Sequence, residues 1–327
     1  MNHNSTKLDL TDDDASAIHT YISIADVHGA LLSVREAMTV VSAPLSEEEL
    51  ADAWVRRDSL SLNYVIYSGY IVPKEEILKV GPDRMSEKVS SLENRADTNM
   101  KIARRISRTF GGRGLRLFSV SGGNSYHFAR AGDDIDFFCV ADAEGLWLFM
   151  LRTLLLTRIY AILGWSLPRL CFNYALDERT ALQEFGSPKD RLFARDALNA
   201  KVLLGSEFYL SLLREASWMR RLFPKLYELK TCGPETGRLS RPQRPPFRRV
   251  VNSILYVLVG SYIRLKSRID NARYAKRGDW SLINNLRVGE GEVRYEARKY
   301  SRLRELYLQE TTAPGTFGQI GPEGTRR

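Results

Sequence analysis

Val120-Ser121-Gly122-Gly123, followed after ten residues by Asp134-Ile135-Asp136-Phe137, is the stretch that decides the fold. Leu115 to Val120 reads as a strand that runs straight into the glycine pair. Two glycines after a strand let the backbone turn sharply and approach a bulky anion. If a helix opens there, its N–H groups face that anion, and Ser121 and Ser125 add hydroxyl donors. Ile135 to Val140 reads as the next strand. Asp134 and Asp136 stand two apart, so they share one face, while Ile135 and Phe137 enter the core. Paired carboxylates repel each other. A divalent cation relieves that repulsion, and Mg²⁺ takes carboxylates together with substrate phosphates. Two such ions can activate an acceptor hydroxyl and steady a leaving pyrophosphate.

Working outward, residues 115–177 alternate strand and helix. Leu146 to Leu163 reads as a helix and Leu170 to Leu176 as a third strand. Ser125 to Arg130 reads as a short helix, and helical segments follow at roughly 190–203 and 206–222. Upstream, Val89, Leu92, Ala96, Met100, Ala103, Ile106 and Phe110 recur at intervals of three and four, one face of a long helix. Gly111-Gly112 and Gly114 end it. Earlier still, Ile18 to Val41 has helical spacing, and Ser46 with Glu49 forms a capping box. A third short helix is expected over Ser59 to Tyr67, with Gly69 to Pro73 as a strand or small wing. Ser240 to Pro246 reads as a linker, and Val250 to Gln309 as mostly helical with breaks around Gly278 and Gly289-Gly291.

These elements divide the chain into a winged-helix-like domain (15–85), an α+β core with helical additions (86–230) and a basic helical domain (247–310). Residues 1–14 and 311–327 are loose termini. The 327 residues carry a net charge of +9, unevenly spread. Residues 1–100 hold 9 Lys/Arg against 17 Asp/Glu, and the rest holds 39 against 22. A polyanionic partner is drawn to the basic part. Residues 1–100, at −8, lack the cationic surface that drives DNA binding, so packing, dimerisation or substrate shaping is the expected role of the N-terminal domain they contain. Cys139, Cys171 and Cys232 form neither a zinc-spaced cluster nor a disulfide framework, as expected of a cytoplasmic protein. Met1 to Asp14 lacks the pattern of a signal peptide. Leu146 to Leu163 is interrupted by Arg152 and Arg158, and Val250 to Ile263 is 14 residues. That is short of the ~20 needed to span a bilayer, so no transmembrane segment is expected. The second stretch, flanked by Arg248, Arg249, Arg264, Lys266 and Arg268, could touch an anionic membrane, but a buried helix of the C-terminal domain is the expected reading.

The arrangement resembles the polymerase-beta-like nucleotidyltransferase superfamily, whose pattern is Gly-Gly or Gly-Ser, about ten residues, then Asp-apolar-Asp/Glu-apolar. It is similar in particular to bacterial and archaeal nucleotidyltransferase-domain proteins of poorly defined substrate. The matching segments are Pro44-Leu45-Ser46-Glu47-Glu48-Glu49-Leu50, Leu146-Trp147-Leu148, Leu170-Cys171-Phe172-Asn173-Tyr174, Phe193-Ala194-Arg195-Asp196 and Trp218 to Pro224. The resemblance covers roughly residues 15–225. It implies a mixed sheet with flanking helices, and transfer of a nucleotidyl group from a nucleoside triphosphate to an acceptor hydroxyl. Asp134 and Asp136 would be the catalytic Mg²⁺ ligands. Ser121, Gly122, Gly123, Ser125, Arg130 and Asn173 would hold the nucleotide. The family's third carboxylate, on the strand after the pair, is replaced here by the neutral Asn173. Asp177 follows four residues on, about 13 Å at ~3.3 Å per residue. The substitution keeps open a catalytically degenerate, nucleotide-binding or regulatory protein on the same fold. An interaction protein using its basic C-terminal part is the other alternative. Arg130, in the loop before the pair, is the best-placed arginine. Arg152 and Arg158 read as a helix's solvent-side charges, His127 as a surface or packed histidine and Asp133 as a turn residue.

Overall fold

The computed structural model describes residues 9–301 apart from 28–29, 42–44, 111–113, 165–167, 233–246 and 299–300. The linker expected at 240–246, Gly111-Gly112 and the terminus from 311 lie outside the described residues.

The N-terminal unit comprises α1 (Asp12–Val27), β1 (Leu32–Ser33), α2 (Val34–Met38), α3 (Glu47–Arg56), α4 (Asp58–Ser61), β2 (Tyr64–Tyr67) and β3 (Tyr70–Pro73). Its small antiparallel sheet has the order β1-β3-β2. Ser68 and Gly69 both have positive φ, the conformation that lets a two-residue turn match the strand twist. Ser46 and Glu49 cap α3 reciprocally, as expected, and Ser33 with Glu36 does the same for α2. The helix expected over Ser59 to Tyr67 is confined to Asp58–Ser61. Tyr64-Val65-Ile66-Tyr67 is aromatic and β-branched and pairs with β3 instead.

α5 (Lys74–Val80) ends at Gly81, whose φ of +85° separates it from the 29-residue α6 (Pro82–Phe110). The apolar stripe of α6 is buried in two cores, Met85 and Val89 in one and Met100 to Phe110 in the other. The central sheet holds β4 (Leu115–Ser121), β5 (Ile135–Ala141), β6 (Leu170–Asp177), β7 (Lys201–Leu204), β8 (Asn284–Gly289) and β9 (Glu292–Ala297), in the order β7-β4-β5-β6-β9-β8. Only β5 and β6 are parallel, and α7 (Leu146–Ile162) connects them. The chain is therefore an α+β structure with a mixed sheet and flanking helices.

Strand alternation assigns the two sheet faces. Phe118, Val120, Phe137 and Cys139 pack with the end of α6, with α7 and with α13 (Phe247–Arg277). Leu117, Phe138 and Val140 pack with α8 (Glu178–Gly186), α9 (Arg191–Asn199), α10 (Ser206–Glu215), α11 (Met219–Leu222), α12 (Pro224–Thr231) and the N-terminal unit. Arg195 of α9 ties that unit to the core. Its guanidinium is buried between the rings of Tyr21 and Tyr126, 4.3 and 4.1 Å from their centroids.

Three further expectations change. Lys201–Leu204 is an edge strand on β4 rather than the end of a helix. The long helix of the region 247–310 ends at Arg277, and a short 3₁₀ turn (Trp280–Leu282) follows it. Asn284–Ala297 is a hairpin that adds two strands beside β6, so the C-terminal segment completes the central sheet. Its residues alternate with period two around the Gly289–Gly291 turn, which favours strand pairing. Finally, the apolar stretch of α13 is not enclosed: Ile254, Val257 and Leu258 are exposed.

Candidate active site

β4 delivers Ser121 opposite Asp136 of β5. At Gly122 the chain adopts φ +63° and ψ −157°, a region open essentially to glycine alone. The missing side chain has a second consequence. A Cβ at Gly122 would lie 2.5 Å from Asp136 Oδ2, so this glycine makes room for the carboxylate. We expect Gly122→Ala to cost about 1–3 kcal/mol from backbone strain alone and to displace Asp136. Gly132→Ala is the control: φ is also positive there, +85°, but a Cβ meets nothing within 4 Å. Urea unfolding of the two variants separates strain from the carboxylate clash, and only Gly122→Ala is expected to show both.

Beyond Gly122 the chain makes one 3₁₀ turn, Gly123–Tyr126, where a helix to Arg130 was expected. Ser125 is buried, and its hydroxyl donates to the Gly122 carbonyl at 2.7 Å. It shapes the turn and does not face the cavity. Asn124 donates to the Asp134 carbonyl at 3.0 Å and accepts from Asn99 of α6 at 2.9 Å, which anchors the backbone before β5. Asp133 accepts from the Arg130 amide at 2.7 Å, a turn role as expected. His127 is exposed with φ +59°.

Asp136 is held from the neighbouring strand. Asn173 Nδ2 donates to Asp136 Oδ1 at 3.0 Å. This contact depends on a register shift, because Asp136 pairs with Cys171 whereas Phe138 pairs with Tyr174. The extra residue on β6 is a bulge, a device that re-aims side chains. The Cys171 thiol also hydrogen-bonds to Asp136. Burial, then the charges of Asp136 and Asp134, push it well above the usual thiol range, so it is a neutral donor. Asn173 Oδ1 is buried with no hydrogen-bond partner among the described residues. Asp134 sits just before β5. Burial raises its carboxyl above the ordinary range, Arg169 opposes that shift and Asp133 adds to it.

A cavity of about 160 Å³ lies between this strand end, α8 and α9, and the C-terminal hairpin. Ser121, Gly122, Asp136 and Asn173 line its polar side, and Tyr174, Phe185 and Phe193 form an aromatic wall. Pockets that enclose whole ligands run to roughly 300–1,000 Å³, so this one has room for part of a nucleotide. Of the residues expected to meet here, these first four do. Gly123 follows at the turn, while Asp134 and Arg130 are outside the cavity lining, Arg130 being exposed. Arg169, not Arg130, is the arginine whose charge acts on Asp134. Arg152 and Arg158 lie on α7, across the sheet. Asp177 caps α8 by accepting from the Thr180 amide at 2.7 Å, which accounts for it without a metal.

The sequence reading missed three charged lining residues. Asp196 accepts from the Tyr126 hydroxyl at 2.6 Å. Arg294 lies over Tyr174, 5.0 Å from its centroid, and is ion-paired with Glu184 at 2.9 Å and Glu292 at 2.6 Å. Burial opposes ionisation of Glu184, but Arg294 and Lys189 outweigh it and hold the carboxyl below its usual range. Glu296 lines the cavity from β9. The period-two pattern around Gly289–Gly291 was the available signal for Arg294 and Glu296. Among the described residues no group of three or more His, Cys, Asp or Glu side chains is arranged to hold a metal ion. Compared with protein-family models, with curated proteins and with solved structures, the chain finds no match in any of the three.

Proposed function

We propose that the protein transfers a nucleotidyl group from a nucleoside triphosphate to an acceptor hydroxyl, using Mg²⁺ at Asp134 and Asp136. The observation that carries this reading is the convergence of Ser121, Gly122, Asp136 and Asn173 on one cavity, with Asp136 Oδ2 against the glycine turn. On this reading the turn receives the phosphates, and the aromatic wall receives the base or sugar. Asn173 Nδ2 and the Cys171 thiol both donate to the Asp136 carboxylate and so fix its orientation beside the turn. The donor set suits a hard cation: two carboxylates, with the unpartnered Asn173 Oδ1 as a neutral oxygen. Bound Mg²⁺ would supply a Lewis acid for the phosphate oxygens. The N-terminal unit, read as winged-helix-like, serves packing rather than DNA binding on account of its charge.

The second reading is nucleotide binding without turnover. It is favoured by Asn173, which occupies the position of a third carboxylate and spends its amide on Asp136. Incubation with each labelled triphosphate and Mg²⁺, with candidate acceptors, separates the two. Pyrophosphate release that is lost in Asp134→Asn and Asp136→Asn supports transfer. Metal-dependent binding without release supports the second reading, and no binding of any triphosphate contradicts both.

Asp134 also carries a pH expectation. Its folded-state pKa is raised, so its ionisation costs stability. That cost is absent below the ordinary carboxylate pKa, grows as pH rises through the folded value and is constant at neutrality. Asp134→Asn should therefore melt higher than wild type at pH 7 in the absence of metal, and the difference should vanish near pH 3.

A further inference from the structure

α7 and α13 lie side by side on the sheet face opposite the cavity. The Trp147 amide donates to Asn252 Oδ1 at 3.0 Å, and Arg158 donates to the Tyr262 hydroxyl at 3.0 Å. The buried positions of α13 are Asn252, Val259, Gly260, Ile263 and Ser267, mostly small or polar. Its larger apolar residues point the other way. Phe247, Val251, Ile254, Leu258, Leu265 and Ile269 follow one another at helical spacing and are all exposed, Leu258 at 63%. The stripe runs about six turns, ~33 Å at 1.5 Å per residue. On the adjacent α7, Leu155, Ile159 and Ile162 are exposed as well, Ile162 at 83%. Scattered apolar residues on a surface are ordinary, but a contiguous patch of this extent marks an interaction site.

Charge identifies the occupant. The two helices carry ten Lys/Arg and a single acidic residue, Asp270. That excess of nine equals the net charge of the whole chain. Some of these cations are engaged within the protein: Arg248 with Asp142, Lys266 and Arg273 with Asp270, and Arg264 with the Val288 carbonyl. Arg249, Arg268, Arg273, Lys276 and Arg277 are exposed. A second copy would set one strongly cationic face against another. A nucleic acid would answer the charge and leave the apolar stripe in water. An anionic bilayer answers both, because apolar side chains enter the headgroup–acyl boundary while Lys and Arg reach lipid phosphates. No described helix is long and apolar enough to cross a membrane, which leaves the interfacial position. We propose that the outer face of α7 and α13 docks the protein flat on an anionic lipid bilayer.

The test is co-sedimentation of the full chain with vesicles of phosphatidylcholine alone or mixed with phosphatidylglycerol. We expect strong binding to the anionic vesicles, weakening with salt, and little to the neutral ones. Ile254→Glu with Leu258→Glu should lower the partition at least about a hundredfold, from roughly tenfold or more per apolar side chain withdrawn. Arg268→Gln with Lys276→Gln should lower it about fivefold per cation. All four side chains are exposed, so thermal unfolding should be unchanged and a folding defect is distinguishable. Equal binding to both vesicle types, or binding to neither, overturns the proposal. So does a concentration-dependent dimer, abolished by the Ile254/Leu258 variant, in a chain that ignores lipid.

Discussion

If the protein carries out the proposed nucleotidyl transfer, Asp136→Asn is expected to reduce pyrophosphate release about 10³-fold or more while leaving the fold intact. The retention of structure follows from the contacts. Asn173 Nδ2 and the Cys171 thiol both donate to Asp136, and an asparagine carbonyl oxygen can accept from these donors in place of the carboxylate. What is lost is the carboxylate beside the turn proposed to receive the phosphates. Removing one electrostatic stabiliser of a transition state costs about 10²–10³ in rate, and a carboxylate that also binds metal, the role proposed for Asp136, stands at the upper end because the ion's affinity falls too. A factor of 10³ corresponds to about 4 kcal/mol of barrier. Wild-type and variant proteins with superimposable circular dichroism melts and a rate ratio near unity would remove Asp136 from the chemistry.

Trp147→Ala is expected to cost about 3–5 kcal/mol of stability, the range for truncating a buried large aromatic. Trp147 has no solvent exposure. Its indole N–H donates to the Glu290 carbonyl at 2.8 Å, at the turn of the β8–β9 hairpin, and its ring lies 5.2 Å from that of Tyr256 in α13. One side chain therefore joins α7, α13 and the hairpin, and truncation leaves both a cavity and an unmatched carbonyl. Trp147→Phe keeps most of the volume and loses the hydrogen bond, so a cost nearer 1–2 kcal/mol is expected. Urea unfolding should show one transition displaced to lower denaturant in both variants. A biphasic curve in which only one phase moves would mean that the C-terminal segment folds apart from the sheet.

Local signals in the sequence carry much of this architecture. The β4–turn–β5 unit was legible because its glycine pair, strand run and alternating Asp-Ile-Asp-Phe agree. The cap of α3 and the stripe of α6 were legible for the same reason, since capping and amphipathic spacing are encoded within a few residues. β7 was not: four residues between two helices carry too little periodicity to outweigh their neighbours. The β8–β9 hairpin was misread because its partner, β6, lies more than a hundred residues upstream, and pairing partners are not written locally. The site shows the same division. The proximity of Ser121 to Asp136 follows from simple hairpin-like pairing of adjacent strands. The Asn173–Asp136 bond needs a bulge in β6, and the inward turn of Ser125 needs the φ of Gly122. The exposure of α13 was hidden because an apolar helix reads alike whether protein or another apolar medium covers it.

A crystal structure soaked with a non-hydrolysable nucleoside triphosphate and Mg²⁺ tests the central claim most directly. The expected result is metal density coordinated by Asp134 and Asp136, with phosphates at the Ser121–Gly123 turn and the Asn173 Oδ1 turned toward metal or nucleotide. A triphosphate bound elsewhere on the protein, or a cavity that stays closed to nucleotide and metal at saturating concentrations, would contradict it.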